Sequence, residues 1–302
     1  MGTWTPESGE TLLARDAIAF ATGTAPRVSG MRWFRDTQRN DIQNELPGWP
    51  DGPVFSVRPE EDKRPARRAG LFGLRALYVA VGGALESLGG TGSFLPGAGD
   101  GPGRPQEPEN EVTDFPVMWA DGGAIARTLP WQLDPARCPD DYRTHITVTD
   151  RRVVITGFPD DDPLRDQVLW QVERSQIAQV ERMRFSSVGE EAKVHFADDS
   201  WIRLAPPGPR KYWSVLRHLA YPTEIVPMGT LTPRQRAYVE SYVTSVTDRD
   251  TSVEPVITRR PSGKFLIEVP TTQPVKPDLG MLRPFWFMSQ TGSRGGFDPK
   301  DL

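Results

Sequence analysis

The sequence predicts an α+β fold that is mainly β: antiparallel strands closed by a capping helix, with a helical insertion ahead of them and a helix–hairpin extension behind. Three observations predict it. Between residues 116 and 205, short apolar-alternating runs are separated by turn residues. After Pro206-Pro207-Gly208-Pro209 the apolar period lengthens from that of a strand to that of a helix. A capped helix and one more hairpin then follow within 223–302. Gly 28 and Pro 30, with 37% hydrophobic residues over 302 positions, imply much loop around one large domain or two modest ones.

Residues 1–34 form an N-terminal strand region, which either joins the barrel or stands beside it. In "GETLLARDAIAFATG" (9–23), Ala17, Ala19 and Ala21 share one parity and Ile18 and Phe20 the other, the pattern of a strand. A helix is the alternative for the same run. Residues 35–115 form the insertion. Its start is punctuated by Pro47, Gly48, Pro50, Gly52 and Pro53. Over about 66–90, Leu71, Leu74, Leu77, Tyr78, Val81, Leu85 and Leu88 recur at helical spacing. Gly73, Gly82 and Gly83 weaken this helix, and Gly89-Gly90 stops it. Residues 91–111 read as a Gly/Pro-rich linker with almost nothing to bury.

Residues 116–222 are the β domain with its capping helix. Strands are expected at 116–120, 124–129, 144–149, 152–157, 167–173, 177–185, 191–197 and 201–205. In the last hairpin Val194 and Phe196 alternate, as do Ile202 and Leu204, which predicts one buried face. In "RKYWSVLRHLAY", Tyr212, Val215, Leu216 and Leu219 form the helical stripe, while Arg217 lies mostly off it. Residues 223–302 hold a helix at 233–246, with Thr232 as N-cap, Pro233 in the first turn and Gln235 completing a capping box. A hairpin over 253–270 follows, then the aromatic knot Phe285, Trp286 and Phe287, then a tail expected to be disordered.

The stretch "THITVTDRRVVITG" (144–157) resembles the hairpin of bacterial PH-like and GRAM-like domains: an apolar strand, Thr-Asp-x-Arg, and a second apolar strand. "LWQVERSQIAQVERMRF" and "KVHFADDSWIRLAPP" resemble the later strands of that family, and the helix at 209–221 sits where its barrel-closing helix belongs. The opening "GETLL" is similar to the family's N-terminal strand. The resemblance covers about residues 116–222. It implies a PH-like antiparallel split barrel capped by a C-terminal helix, and a lipid- or protein-binding role. The loop "FPDDDPLRD", which corresponds to a headgroup-binding loop, is acidic and repels anionic headgroups. In the hairpin itself Thr149 and Asp150 are expected to accept turn N–H groups, fixing the register that keeps Ile146 and Val148 inside. Arg151 is placed to pair with Asp150 or a neighbouring strand.

The residues argue against catalysis. No Gly-x-Ser-x-Gly occurs. His145, His195 and His218 lie on two strands and a helix, each expected at or near the surface. Cys138 stands alone, which excludes an intramolecular disulfide and any paired-cysteine metal site, and suggests a reducing, cytoplasmic setting. Residues 160–162 lack the ligand spacing of a calcium loop, and 97–103 lack the Lys-Ser/Thr of a phosphate loop. Catalytic, cofactor and metal residues are therefore expected to be none. A formal net charge of −4, without a basic aromatic-studded face, argues against nucleic acid. The N-terminus shows no signal peptide, and Pro6 stands where a myristoylation motif wants Ser or Thr.

Two segments suit binding. Lys63, Arg64, Arg67 and Arg68 precede the stripe of Leu71, Phe72, Leu74, Leu77, Tyr78 and Val81. That arrangement suits an anionic membrane surface, a protein partner, or packing on the barrel. Its uncharged run is too short to span a bilayer. Phe285, Trp286 and Phe287 suit either a core-docking segment or a partner patch. The expected function is a non-catalytic adaptor, peripheral at a membrane or bound to protein; the alternative is an assembly subunit contacting partners through its insertion and aromatic C-terminal segment.

Overall fold

The computed structural model describes residues 2–21, 34–38, 40–52, 117–183, 191–207, 213–221, 224–247, 254–270, 280 and 283–301. In chain order the first strands are β1 (Leu12–Ala17), β2 (Ala19–Phe20), β3 (Phe34–Arg35) and β4 (Met118–Trp119). Then come β5 (Tyr142–Thr149), β6 (Arg152–Pro159), β7 (Gln167–Glu173), β8 (Ile177–Met183), β9 (Glu191–Phe196) and β10 (Trp201–Ala205). After the short helix α1 (Leu216–Leu219) come β11 (Glu224–Ile225), α2 (Pro233–Val246), β12 (Val256–Arg259), β13 (Phe265–Glu268) and β14 (Phe285–Met288). The fold is mainly β, as the sequence pattern predicts.

The strands form three sheets. The first has the order β1-β5-β6-β7, the second β3-β4-β10-β9-β8 with β2 also on β10, and the third β11-β12-β13-β14. All pairings are antiparallel except β3 with β4. Within the run at 9–23, Leu12–Ala17 and Ala19–Phe20 are strand, not helix, and they belong to the first two sheets in turn: β1 pairs with β5, and β2 with β10. The first two sheets therefore share one strand run at a corner. No ladder joins β7 to β8, so the expected closed β layer is not formed; the two sheets face each other as an open pair.

Their shared core contains Leu13, Ile18, Phe20, Ile146, Ile155, Val194, Ile202 and Leu204. Burial of each large aliphatic side chain contributes about 1.5–3 kcal/mol. Phe34, at the end of the expected N-terminal region, and Ile42 and Leu46, from the start of the expected insertion, lie in this same core with Val117, Met118 and Leu133. The segment 124–129, expected as a strand, is a 3-10 turn over Ile125–Thr128. Asp198 holds it by accepting the Ile125 N–H (2.6 Å), and Ser200 Oγ accepts the Ala126 N–H. These side-chain acceptors from the β9–β10 turn replace a ladder.

The expected capping helix is shorter than predicted. Helix α1 is one turn, and Trp213, Val215, Leu216 and Leu219 are buried in the core; Tyr212 lies outside the described residues. Arg217 and His218, expected off the apolar stripe, are buried as well, because α1 is covered on its other side by the third sheet. The same correction applies to the β9–β10 hairpin. Its inward face is Val194, Phe196, Ile202 and Leu204, but Glu191, Lys193, Trp201 and Arg203 on the opposite face are also buried. There Arg203 and Glu191 form an ion pair sealed from solvent.

The turn at 149–152 is scaffold. Thr149 Oγ1 accepts the N–H of Arg151 (3.2 Å) and Arg152 (2.9 Å) and donates to Glu10 Oε1. Asp150 accepts the Thr11 N–H from across the sheet (2.7 Å) rather than one within the turn. Arg151 donates to Gly9 O (2.8 Å) instead of pairing with Asp150. Arg152 pairs with Glu7 and Glu10 at 2.7 and 3.0 Å.

Helix α2 has the predicted capping box. Thr232 Oγ1 accepts the Gln235 N–H (3.3 Å), and Gln235 Oε1 accepts the Thr232 N–H (2.8 Å). Its inner face packs Val239 and Val243 on Ile257, Phe265, Ile267 and Met288, a second core separate from the first. Every residue of β13 is buried, which follows from cover on both faces of the third sheet. The tail expected to be disordered is folded. Gly295 N–H donates to Phe287 O, and the Asp301 carboxylate accepts from Ser262 N–H (3.0 Å) and Oγ (2.7 Å). Replacing Thr232 with Ala is expected to cost about 1 kcal/mol of stability and replacing it with Ser much less, measured by urea denaturation.

Candidate interaction surface

Strand β14 is the last strand of the third sheet, so among the described residues one of its edges has no further strand beside it. The chain turns at Ser289–Ser293 and comes back along that edge, with an isolated bridge between Met288 and Arg294. Strand alternation then sorts the aromatic side chains. Trp286 points to the α2 side, with Tyr242 at 6.2 Å between ring centroids and the Arg294 guanidinium 4.3 Å above its ring. Phe285 and Phe287 point to the other side, edge to face at 6.1 Å, and Phe297 from the returning chain meets Phe287 at 6.2 Å.

The resulting patch is half sunk. Met288 and Phe287 are buried and Trp286 is half-buried, while Phe285 is 42% and Phe297 55% exposed. Of the two roles open to the aromatic knot, the strand divides it: Phe287 docks into the fold, and Phe285 faces solvent. Phe297, Arg294 and Tyr242 were not visible as members from sequence. Phe297 stands ten residues beyond Phe287 in a segment rich in Gly and Ser, with no periodic signal to link the two.

Beneath the patch lies a buried polar cluster that joins the two cores. Arg217 stacks over Phe285 at 4.3 Å and places Nη2 3.0 Å from Glu268 Oε1. His218 Nε2 lies 2.7 Å from Glu268 Oε2. Arg260 Nη2 donates to Arg217 O (2.9 Å) and Asp301 O (2.7 Å), tying α1, the β12–β13 turn and the C-terminal segment together. Arg283 Nη1 donates to Leu12 O and Leu13 O at 3.0 and 3.2 Å. Gly280 sits against the same strand with φ +65, and a Cβ there would come within 2.5 Å of the Arg15 carbonyl. Only glycine meets both conditions.

The electrostatics follow from burial. Burial alone would raise the Glu268 pKa, but His218, charged only in the acid range where this carboxyl titrates, outweighs it together with the Arg217 and Arg283 charges and brings it down to about 2. Burial holds the His218 pKa below 6.5, against the pull of Glu268. Burial, with Glu268 and Tyr238 nearby, pushes the Tyr242 hydroxyl up to about 12, so it stays a phenol.

The histidines do not converge. His145 is fully buried behind the first sheet, where its Nδ1 accepts from Arg15 Nε at 3.2 Å and Arg15 makes a bidentate pair with Asp166 at 2.6 and 2.7 Å. His195 is half-buried, 3.0 Å from Glu181. His218 is fully buried in the junction. Sequence placed all three at or near the surface; two are interior because each has a charged partner that apolar periodicity does not register. Among the described residues no group of three His, Cys, Asp or Glu could hold a metal. The void between the first two sheets is water-sized and lined by apolar side chains such as Leu129, Ile146, Phe196 and Leu219. Among the described residues no helix is long and apolar enough to cross a membrane. The basic amphipathic segment from Lys63 to Val81 lies outside the described residues.

Glu268→Ala leaves Arg217 buried without its carboxylate and is expected to cost about 3–5 kcal/mol, with Glu268→Gln costing less; chemical denaturation measures both. The Glu268 contribution is complete above pH 4.5, the value of the unperturbed carboxyl, and fades as pH falls from there toward about 2. No protein-family model, curated protein or solved structure matches the chain.

Proposed function

We propose that this chain is a non-catalytic binding protein on a PH-like or GRAM-like split-barrel frame, and that it docks a protein partner through the aromatic edge at β14. The observation that carries the docking reading is the pair Phe285 and Phe297. Both flank Phe287 within ring-contact distance, and they are the aromatic members among the exposed large apolar side chains of the described residues, Leu164, Val168, Val246, Phe285 and Phe297. Scattered exposed aliphatics are ordinary; clustered aromatics beside an arginine are the usual anchors of interfaces. Supporting the frame, the N-terminal run pairs with both β5 and β10, hairpins follow one another through β5–β7 and again through β8–β10, and α1 then closes on the shared core.

The sequence also favours a membrane arm at 63–90, where four basic residues precede the Leu-rich stripe. Liposome flotation of the chain with and without residues 60–90 separates this arm from the protein-docking edge. Equal, negligible flotation of both forms removes it.

The docking edge is tested with a Phe285→Ser, Phe297→Ser double variant whose fold is verified by circular dichroism. Loss of two aromatic anchors is expected to weaken partner capture at least tenfold, since each such side chain contributes more than about 1 kcal/mol. Undiminished capture of the same partner would sink the docking role of β14.

A further inference from the structure

The two cores meet through a cluster of charged and polar groups, beside the apolar contacts that Ile225 of β11 and Val256 of β12 make with the first core. On the sandwich side stand Arg217 and His218 of α1; on the other stand Glu268 of β13, Arg260 of the β12–β13 turn, and Asp301 of the C-terminal segment. Arg283 and Tyr242 also face Glu268, and Tyr221 lies under Arg260 at 5.3 Å. With His218 neutral, its one ring proton suits Nε2, which lies 2.7 Å from Glu268 Oε2. Its Nδ1 is buried and has no hydrogen-bond partner. A neutral ring tolerates this, because Nδ1 is then only an acceptor.

Protonation changes both accounts at once. It places an N–H on Nδ1, where no acceptor waits, and an unmet buried donor costs more than the hydrogen bond it lacks. It also adds a fourth cation to Arg217, Arg260 and Arg283, which share the two carboxylates Glu268 and Asp301. Opening the junction hydrates every one of these groups, and each side keeps its own apolar core.

We propose that the junction is a pH-operated latch: protonation of His218 releases the third sheet and α2 from the β1–β10 sandwich while both units stay folded. The sign is fixed by which state binds the extra proton. The open state protonates His218 near 6.5 and the closed state only at lower pH. The closed state is therefore fully favoured above pH 6.5 and loses about tenfold in population ratio for each pH unit below it, until the depressed value is reached.

Hydrogen exchange of the full chain, followed by mass spectrometry from about pH 8 to about pH 5 and corrected for intrinsic rates, tests this. In the native chain, peptides covering 213–221, whose one-turn helix loses its cover, should lose protection on the acid side, while those covering 142–159 and the β12–β13 ladder at 254–270 keep theirs. In His218→Gln, which retains a donor toward Glu268 but cannot titrate, protection of the junction should be independent of pH over that range. Simultaneous loss at 142–159, or the same pH profile in both proteins, overturns the latch. Should the variant not fold, the His218 ring followed by NMR in the native chain decides the matter: titration coincident with junction opening supports the latch, and a ring that stays neutral while the junction opens refutes it.

Discussion

Glu268 is the group on which the arrangement of the two cores depends. One carboxylate reaches Arg217 and His218 on neighbouring positions of a one-turn helix, and it does so from the last position of a strand whose four residues are all buried. A carboxylate so placed is tolerable only because the cations come with it. Arg260 extends the same logic to backbone, donating to the carbonyls of Arg217 and Asp301. Sheet three thus has an apolar face for α2 and an opposite face on which Glu268 meets α1 beside the apolar contacts of Ile225 and Val256. The first face makes a second core; the second face decides where that core sits.

The junction is not an isolated case. Arg15 with Asp166 and Arg203 with Glu191 are also sealed ion pairs, one behind each of the first two sheets. Such pairs give little net stability compared with apolar groups of equal size, because desolvation offsets most of the attraction. Their strength lies in asymmetry: a shifted register or a displaced segment strands one charge without the other. The pairs therefore discriminate against wrong packings more than they favour the right one. Gly280 and Arg283 act alongside them, laying the chain that leads into β14 against β1 where a side chain at 280 has no room.

What was legible in the sequence follows from this division. Strands β7 and β10, helix α2 and its capping box match their expected limits, because alternation, helical period and cap chemistry are all local. The segment 124–129 misled because its apolar residues suit a strand while the acceptors that make it a 3-10 turn, Asp198 and Ser200, lie more than seventy positions away. The tail misled for the same reason: nothing near Asp301 announces Ser262 and Arg260. Of the surface, Phe285, Trp286 and Phe287 were visible as a cluster, but their division between core and solvent required knowing that they form an edge strand. Arg217 and His218 read as solvent-side residues because periodicity counts apolar groups, and their cover is a sheet contributed by another part of the chain.

The position of Arg217 carries the last step. Its guanidinium lies over the Phe285 ring while its Nη2 faces Glu268, so one side chain belongs to both the exposed patch and the buried junction. The ring shields the ion pair from water on one side, and the ion pair holds the guanidinium flat beneath the ring. A cation–π contact next to a desolvated carboxylate is stiffer than one in open solvent, because moving the arginine breaks two interactions at once. The exposed aromatic edge is therefore mounted on a fixed support, and side chains so held lose less freedom on binding than mobile ones. The same geometry makes Phe285 sensitive to any change that parts α1 from β13.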